Sequence, residues 1–417
     1  MEELQQNKPF PVADSGTSLF QNANFLYLWT ATLFSSFALS FFMFSQTWYI
    51  VKKLDLEASL GLVFVASSVP RLLFMILGGA AADKFPKKTI MFYSNVVRAL
   101  LVAAVLVWLL AGNITLYTFV FFALFFGLAD AFFWSADSSI LPELVEKHRL
   151  TQANSITQMT NQSSLILGPV LAGITLKISN YETVFAGTIF FLLIAAVLIQ
   201  KIRLKTLENR NAEHKNMLAS IKEGLLYVKQ SSFLTTLLIC SAFLNMFLIG
   251  PMQIGFPIFV KTVLKGDSLM FSYLEGSVGG GMAIGAIIIG IANIQRKRGW
   301  FCITMLFLSG VFFLLLSFSE IWWQTLIFGS IFGMALAMGA IPLMAVIQST
   351  VKEEMMGRVM SLLMLSSIGL IPVSYAVTAL VLTTGISILA IMKGGALAVI
   401  LFVMFVALRV PTVRRFN

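Results

Sequence analysis

Residues 60–112 read LGLVFVASSVPRLLFMILGGAAADKFPKKTIMFYSNVVRALLVAAVLVWLLAG. Two apolar runs, 60–82 and 89–111, flank one short turn that holds an aspartate, a proline and three lysines. A helix needs about 20 apolar residues to cross the hydrocarbon core of a bilayer. Each run meets that length, and both lack the ten-residue alternation of a membrane barrel strand. The pattern is therefore a helical hairpin in lipid with its basic turn in water.

The same reading repeats outward from this hairpin. It gives further spans at 25–51, 115–140, 155–178 and 182–202, then 233–262, 270–293, 300–318, 322–350, 357–383 and 386–410. The expected fold is all-α integral membrane, with twelve transmembrane helices in two six-helix bundles. Composition agrees, because the 417 residues are 58% hydrophobic and only 12% charged. Soluble domains carry about 25% charged residues. The net charge of +10 does not call for nucleic acid, because membrane proteins gather Lys and Arg in cytoplasmic loops. With the N-terminus inside, 21 basic residues fall on the cytoplasmic side and five opposite, with Arg71, Arg98 and Lys393 within spans. Both termini are then cytoplasmic and the protein is a multi-pass protein of the cell membrane. Residues 1–24 lack the basic start and short apolar core of a cleaved signal peptide. Cys240 and Cys302 lie in apolar runs without metal-type spacing, which reads as two buried free thiols.

Polar residues divide the chain. A cytoplasmic tail covers 1–24, an N-terminal bundle 25–202, a linker 203–232, a C-terminal bundle 233–410 and a second tail 411–417. Within the linker, Leu218, Ile221, Leu225 and Val228 recur at helical spacing, the pattern of an amphipathic helix on the inner membrane surface. An internal repeat supports the division. Pro169 follows Asn154 by 15 residues and Pro372 follows Gly357 by 15, at an offset of 203. The basic turn Lys87–Lys88 has a counterpart at Arg296–Arg298. Parallel repeats of this kind place a solute site between two bundles near mid-membrane.

The turn GGAAADKFPKK supplies Gly79, Asp83, Lys84, Lys87 and Lys88. Their order matches the loop signature of the major facilitator superfamily, with Pro86 where a second glycine is usual. The segment SLILGPVLAG offers Gly168, Pro169 and Gly173, with Ser164 and Ala172 at two substituted positions. It resembles the motif of that superfamily's antiporters. The run LPELVEKHRLTQANS and the central EGLLYVKQ resemble the macrolide-efflux and enterobactin-exporter branch. The fourth-span arginine common among drug exporters is not evident. The resemblance implies that Asp83 latches the cytoplasmic face closed by bonding near Gly357–Ser361. It also implies export rather than uptake.

Charges inside the spans carry the remaining reading. An ionised side chain at bilayer depth costs roughly 3 kcal/mol even on forgiving scales, so it needs a partner, water or an escape to the interface. Arg71 and Asp130 lie at matching depths and are expected to face the bundle interior, where they can pair. Asp130, Trp134 and Asp137 share one helix face at i, i+4 and i+7. Asp130 is the first candidate for proton coupling and Asp137 the second. Asp137 is expected near the aqueous edge. Asn154, Gln158, Asn161 and Gln162 form a polar stripe on span five, matched by Asn245 and Gln253 on span seven. These six, with Trp134, are pathway-lining candidates. Arg98 and Lys393 are read as snorkelling toward an interface. Gly279, Gly280 and Gly281 are read as a close helix contact.

No Walker-type loop, GxSxG or metal-ligand cluster occurs, and His148 and His214 stand apart. No enzyme activity, cofactor or metal is expected. The expected partners are a small-molecule substrate, a proton or other coupling ion and membrane lipid, with no nucleic acid, and the chain is expected to act as a monomer. The function expected is secondary export of a small drug-like compound by proton antiport and alternating access. A lipid or siderophore exporter of the same fold, and a receptor or scaffold that no longer transports, are the alternatives.

Overall fold

The computed structural model describes residues 19–203, 217–292 and 298–410. The N-terminal tail before Leu19, most of the linker with His214, the turn holding Arg296 and Lys297, and the C-terminal tail with Arg414 and Arg415 lie outside the described residues. So do the side chains of Leu218 and Ile221.

The described residues are helical almost throughout, with no strand among them. The first half comprises α1 (Ala23–Lys52), α2 (Leu60–Lys84), α3 (Lys87–Leu110), α4 (Leu116–Leu144), α5 (Leu150–Ile178) and α6 (Tyr181–Lys201). A shorter helix, α7 (Met217–Gln230), leads into the second half. The seventh span is broken into α8 (Ser232–Leu244), a π-helical turn at Asn245–Ile249, α9 (Gly250–Gln253) and α10 (Gly255–Thr262). Then follow α11 (Ser268–Ala292), α12 (Arg298–Phe318), α13 (Trp322–Thr350), α14 (Glu353–Ile368), α15 (Ile371–Thr383) and α16 (Ile388–Arg409). Among the described residues, eleven helical segments are long and apolar enough to cross a bilayer. The fifth span, α5, has the length at 29 residues. Its Asn and Gln stripe lowers its hydropathy below that of the other eleven.

The two halves repeat one another in atomic detail. At the end of α1, Lys53 and Leu54 N–H both donate to Tyr49 C=O, and Leu56 N–H donates to Ile50 C=O. At the end of α10, Val263 and Leu264 N–H both donate to Phe259 C=O, and Gly266 N–H donates to Val260 C=O. Both endings wrap past the last α-helical bond through the same three hydrogen bonds, and both then place one residue in the left-handed region. Asp55 (φ 58°) and Lys265 (φ 49°) occupy it, 210 positions apart. Close helix crossings repeat too. A Cβ on Gly127 of α4 would lie 2.0 Å from Ser67 C=O of α2, and one on Gly333 of α13 would lie 2.1 Å from Val278 C=O of α11. The expected contact at Gly281 is likewise tight, 1.9 Å from Ser330 C=O.

Between the halves the same rule holds. A Cβ on Gly61 of α2 would lie 2.4 Å from Ala379 Cβ of α15, and one on Gly173 of α5 would lie 2.4 Å from Ser272 Cβ of α11. Gly173 and Ala379 thus correspond at an offset of 206 rather than 203. The proline match read from sequence is nearly one turn out of register, because α14 and α15 are interrupted at Gly369–Leu370.

These contacts close one end of the seam. Call the end carrying Lys87, Lys88, Arg203 and Arg409 the basic face. At the opposite face, Phe271 of α11 stacks on Phe44 (4.7 Å) and Trp48 (5.5 Å) of α1. Lys177 Nζ meets Asp267 Oδ2 at 2.5 Å. Lys261 binds Asp55 and also Glu57 Oε1 at 2.7 Å, while donating to Val51 C=O at 2.8 Å. Among the described residues, every ion pair joining the halves lies at this face. Burial raises the Asp267 carboxyl, but the Lys177 hydrogen bond and charge outweigh it and hold the group below its ordinary value. The Lys261 hydrogen bond and charge lower Asp55 in the same way. At the basic face, Asp83 is exposed and makes no bond among the described residues, and a Cβ on Gly357 would meet nothing within 4 Å. The seam is shut at the opposite face and parted at the basic face.

The described end of α7 rests on the second half. Val228 is buried, Glu223 pairs with Arg358 of α14 at 2.7 Å, and Tyr227 Oη accepts from Lys352 N–H at 3.5 Å. Leu225 is exposed. Cys240 and Cys302 are buried free thiols.

Candidate functional site

Three helices of the first half each place one charge at mid-depth. Arg71 follows Pro70 inside α2, Arg98 is the twelfth residue of the 24 in α3, and Asp130 lies midway along α4. Asp130 receives both guanidinium groups. Its Oδ2 is 3.1 Å from Arg71 Nε, and its Oδ1 is 2.7 Å from Arg98 Nη2. The Asp130–Arg98 contact meets as an ion pair rather than in linear N–H···O geometry, and Arg98 Nε has no hydrogen-bond partner.

Arg98 does not snorkel. Only 1% of it is exposed. Its guanidinium lies over Phe133 (4.3 Å) and Phe126 (5.7 Å), and its Nη1 reaches Asn95 Oδ1 at 3.5 Å. Asn95 in turn donates to Ser35 Oγ of α1 at 3.0 Å. The snorkelling expectation counted residues from one end of α3 and could not see that the side chain faces α4. Aromatic faces and a buried carboxylate replace water around the charge. Lys393 takes a different route, with its Nζ 3.8 Å from the centre of the Phe318 ring. Arg71 is the open member of the cluster, with 40% of its side chain exposed and its guanidinium 5.5 Å from the Trp134 ring centre.

Asp137 lies two turns toward the basic face on the same side of α4. It is buried, against the expectation of an aqueous edge, and accepts from Thr32 Oγ1 at 3.1 Å. Thr32, Ser35, Ser36, Arg98, Asp130, Trp134, Asp137 and Asn161 line one small cavity. Asn161 Oδ1 accepts from Ser36 Oγ at 2.8 Å. The structure therefore brings together Asp130, Trp134, Asp137 and Asn161 from the sequence-predicted set. It adds Arg98, Thr32 and Ser36, which the sequence reading did not assign.

The rest of the stripe lies outside this cavity. Asn154, Gln158 and Gln162 are exposed and make no side-chain bond among the described residues. Gln162 is one turn from Ile166, which packs against Gly279 of α11, so the stripe continues the α11-facing side of α5 to where the halves part. Asn245 donates to Ser241 C=O of its own helix at 2.8 Å, at the start of the π-helical turn. Gln253 is half-buried without a partner among the described residues.

The two motifs divide their work between halves. Gly168 admits Ser40 of α1, whose Oγ donates to Ser164 C=O at 3.0 Å, whereas Gly173 admits α11. Pro169 and Ala172 are buried between them. In the basic turn, Lys87 ties α3 to the end of α4, reaching Glu143 Oε1 at 2.5 Å and Ser139 C=O at 2.9 Å. Lys88 donates to Ile202 C=O at 3.0 Å. Asp83 and Lys84 project into the open, beside an uncovered Gly79, and the Asp83 contact with α14 is not made in this conformation.

A family model described as Major Facilitator Superfamily matches residues 28–371. The chain belongs to the major facilitator superfamily. Members of the superfamily are transporters, and this chain is a membrane transporter rather than an enzyme. Among curated relatives, it is 22% identical over 346 residues to macrolide efflux protein A of Streptococcus pyogenes, covering 81% of this chain and 84% of that protein. It is 25% identical over 325 residues to the multidrug efflux pump Tap of Mycolicibacterium fortuitum, covering 76% and 78%. Of solved superfamily structures, a D-xylose–proton symporter superposes with a TM-score of 0.71 at 14% identity, covering 93% of this chain and 97% of that one. A bacterial homologue of the iron transporter ferroportin gives 0.68 at 13% identity, covering 93% and 99%. At these identities the structural matches carry the fold alone.

Proposed function

We propose that the protein exports a small organic compound from the cytoplasm by alternating access, with proton entry as the driving reaction. The observation that carries the reading is the buried cluster at mid-depth: Asp130 between Arg71 and Arg98, with Asp137 sharing its cavity. An ionisable group at bilayer depth is retained against its desolvation cost, which points to function. The excess of Lys and Arg on the basic face supports a cytoplasmic location for that face in the cell membrane. The names of the relatives support export, and of a drug-like compound.

Within the cluster the two carboxylates have different tasks. Protonating Asp130 would break two guanidinium contacts, so Asp130 serves to hold α2, α3 and α4 in register. Asp137 gives up a single hydroxyl donor on taking a proton. It is the group that exchanges the proton, and Arg98 stabilises the vacated charge. Asp137 is buried in that cavity, on the side of Asp130 nearer the basic face, and it releases its proton as the compound enters. Rocking of the halves closes Asp83 onto the start of α14 and parts the Phe44–Phe271 stack, exposing the site to the other side.

Proteoliposomes test this directly. Outwardly directed transport of a macrolide or a multidrug probe should follow an imposed pH gradient and release protons stoichiometrically. Transport indifferent to the gradient removes the coupling proposal. Absence of any transport by a folded, reconstituted protein favours the receptor or scaffold reading.

A further inference from the structure

Glu275 stands apart from the cluster and has no assigned role. It is the eighth residue of α11, about 10 Å along the helix from its start at the opposite face, and the only acid on that helix. Its carboxylate is half-buried and makes no hydrogen bond or ion pair among the described residues. An ionised carboxylate at this depth needs a partner or water, and none of the described residues bonds to it, so its partner is to be sought outside the chain.

The repeat fixes where Glu275 points. Gly61 and Ser272 correspond at an offset of 211, as do Ser67 and Val278, which makes Phe64 of α2 the counterpart of Glu275. Phe64 reaches across the seam to Tyr375 of α15, with ring centres 5.0 Å apart. On α11, the neighbours of Glu275 agree. Phe271, one turn away, touches Phe44 and Trp48 of α1. A Cβ on Gly276 would lie 2.6 Å from Val170 of α5, and one on Gly279 would lie 2.6 Å from Ile166. Glu275 therefore faces the seam between α1 and α5, directly on the parted side of the aromatic stack that seals the opposite face. The groups facing it from α5 are apolar, and the rings beside it come from α1 and α11.

We propose that Glu275 is the counter-charge of a recognition site for an organic cation, such as a protonated or quaternary amine carried on an apolar body, seated on the parted side of the Phe44, Trp48 and Phe271 stack. The carboxylate supplies the counter-charge. The stack is at most 3% exposed, so it is an apolar floor whose faces reach the cation only once it parts. The site lies at the blind end of the open seam, so a bound cation meets the stack that must part before release. The proposal rests on the transport reading for its purpose, but its binding chemistry is measurable without transport.

The test is equilibrium binding of tetraphenylphosphonium to the purified full-length protein in detergent. Its permanent charge separates cation recognition from proton exchange. Wild-type protein should bind it saturably, and Glu275→Gln should bind at least tenfold more weakly. Glu275→Asp should stay within a few-fold of wild type, and Glu320→Gln, in an exposed loop, should be unchanged. A readout without substitution comes from dicyclohexylcarbodiimide, which labels carboxyl groups in apolar surroundings. Tetraphenylphosphonium should protect Glu275 from this labelling in the mass spectrum of wild-type protein. Failure of the wild type to bind the cation, equal affinity of wild type and Glu275→Gln, or unprotected labelling each overturns the proposal. Cation binding without gradient-driven export would sink the antiport reading and leave this one standing.

Discussion

Arg98 Nη2 lies 2.7 Å from Asp130 Oδ1, and each side chain is at most 3% exposed. Removing one partner of such a buried pair leaves the other charge uncompensated, which costs about 3–5 kcal/mol, whereas removing both costs far less. Arg98→Leu and Asp130→Leu should each lower the melting temperature in detergent sharply. The double variant should recover most of the loss. Independent, additive losses would show that the two groups do not depend on each other. Arg71→Leu should cost much less, because its side chain is 40% exposed and solvent screens its share of the contact.

That contrast marks what could be read from the sequence. Spans, their number and the division into halves follow from run length and charge, because lipid tolerates few alternatives. Asp130 and Arg71 stand out because a charge in an apolar run demands an explanation. Arg98 meets the same criterion, but counting residues from a helix end says nothing about the face it occupies. Glu275 also meets it, although the glycines and serines around it read only as a helix contact. The clustering of Thr32, Ser36 and Asn161 with Asp137 depends on how α1 and α5 cross α4, a relation no local pattern encodes.

Closure at the opposite face joins charges to close backbone packing, and the two should respond differently to conditions. Asp267 and Asp55 titrate below the ordinary carboxylate value when paired. Their ion pairs therefore favour the closed seam at all pH values above the open-state value near 4. That contribution is lost as pH falls through the lower closed-state value. Between pH 5 and 8 this closure should be insensitive to pH, and it should weaken with added salt because the Lys177–Asp267 pair is exposed. A Phe271→Cys reporter, at a position only 1% exposed, should label faster with a membrane-impermeant maleimide as salt rises. Labelling should also quicken in the Lys177→Gln/Lys261→Gln background. A labelling rate that climbs between pH 8 and pH 5 at constant salt, once divided by that of a free thiol at each pH to remove the thiolate fraction, would contradict this account.

The Gly61–Ala379 and Gly173–Ser272 contacts are pseudo-equivalent points where the halves touch, each leaving only 2.4 Å for a Cβ added on the glycine. A leucine at either place cannot be accommodated without separating α2 from α15 or α5 from α11. Gly173→Leu and Gly61→Leu should each hold the opposite face open and reduce transport at least tenfold, with normal expression and monodispersity. The same Phe271→Cys reporter should label in both without added salt. Normal transport by either variant would mean that the seam does not close through this contact.

Asp137 accepts one hydrogen bond, from Thr32 at 3.1 Å, and shares its cavity with Arg98 and Asp130. If it is the group that exchanges the proton, Asp137→Asn fixes it in a neutral, amide form. Gradient-driven export should then fall by two orders of magnitude or more. Substrate exchange across a membrane without a pH difference should persist, because the rocking step no longer needs deprotonation. Thr32→Val removes the hydroxyl donor, so it should shift the pH dependence of transport without abolishing it. Asp130→Asn should behave differently, losing stability along with both activities, since it unpairs two guanidinium groups. The decisive comparison is exchange against net transport in the same reconstituted samples. Loss of exchange and net transport together in a well-folded Asp137→Asn protein would assign Asp137 to the structural framework instead.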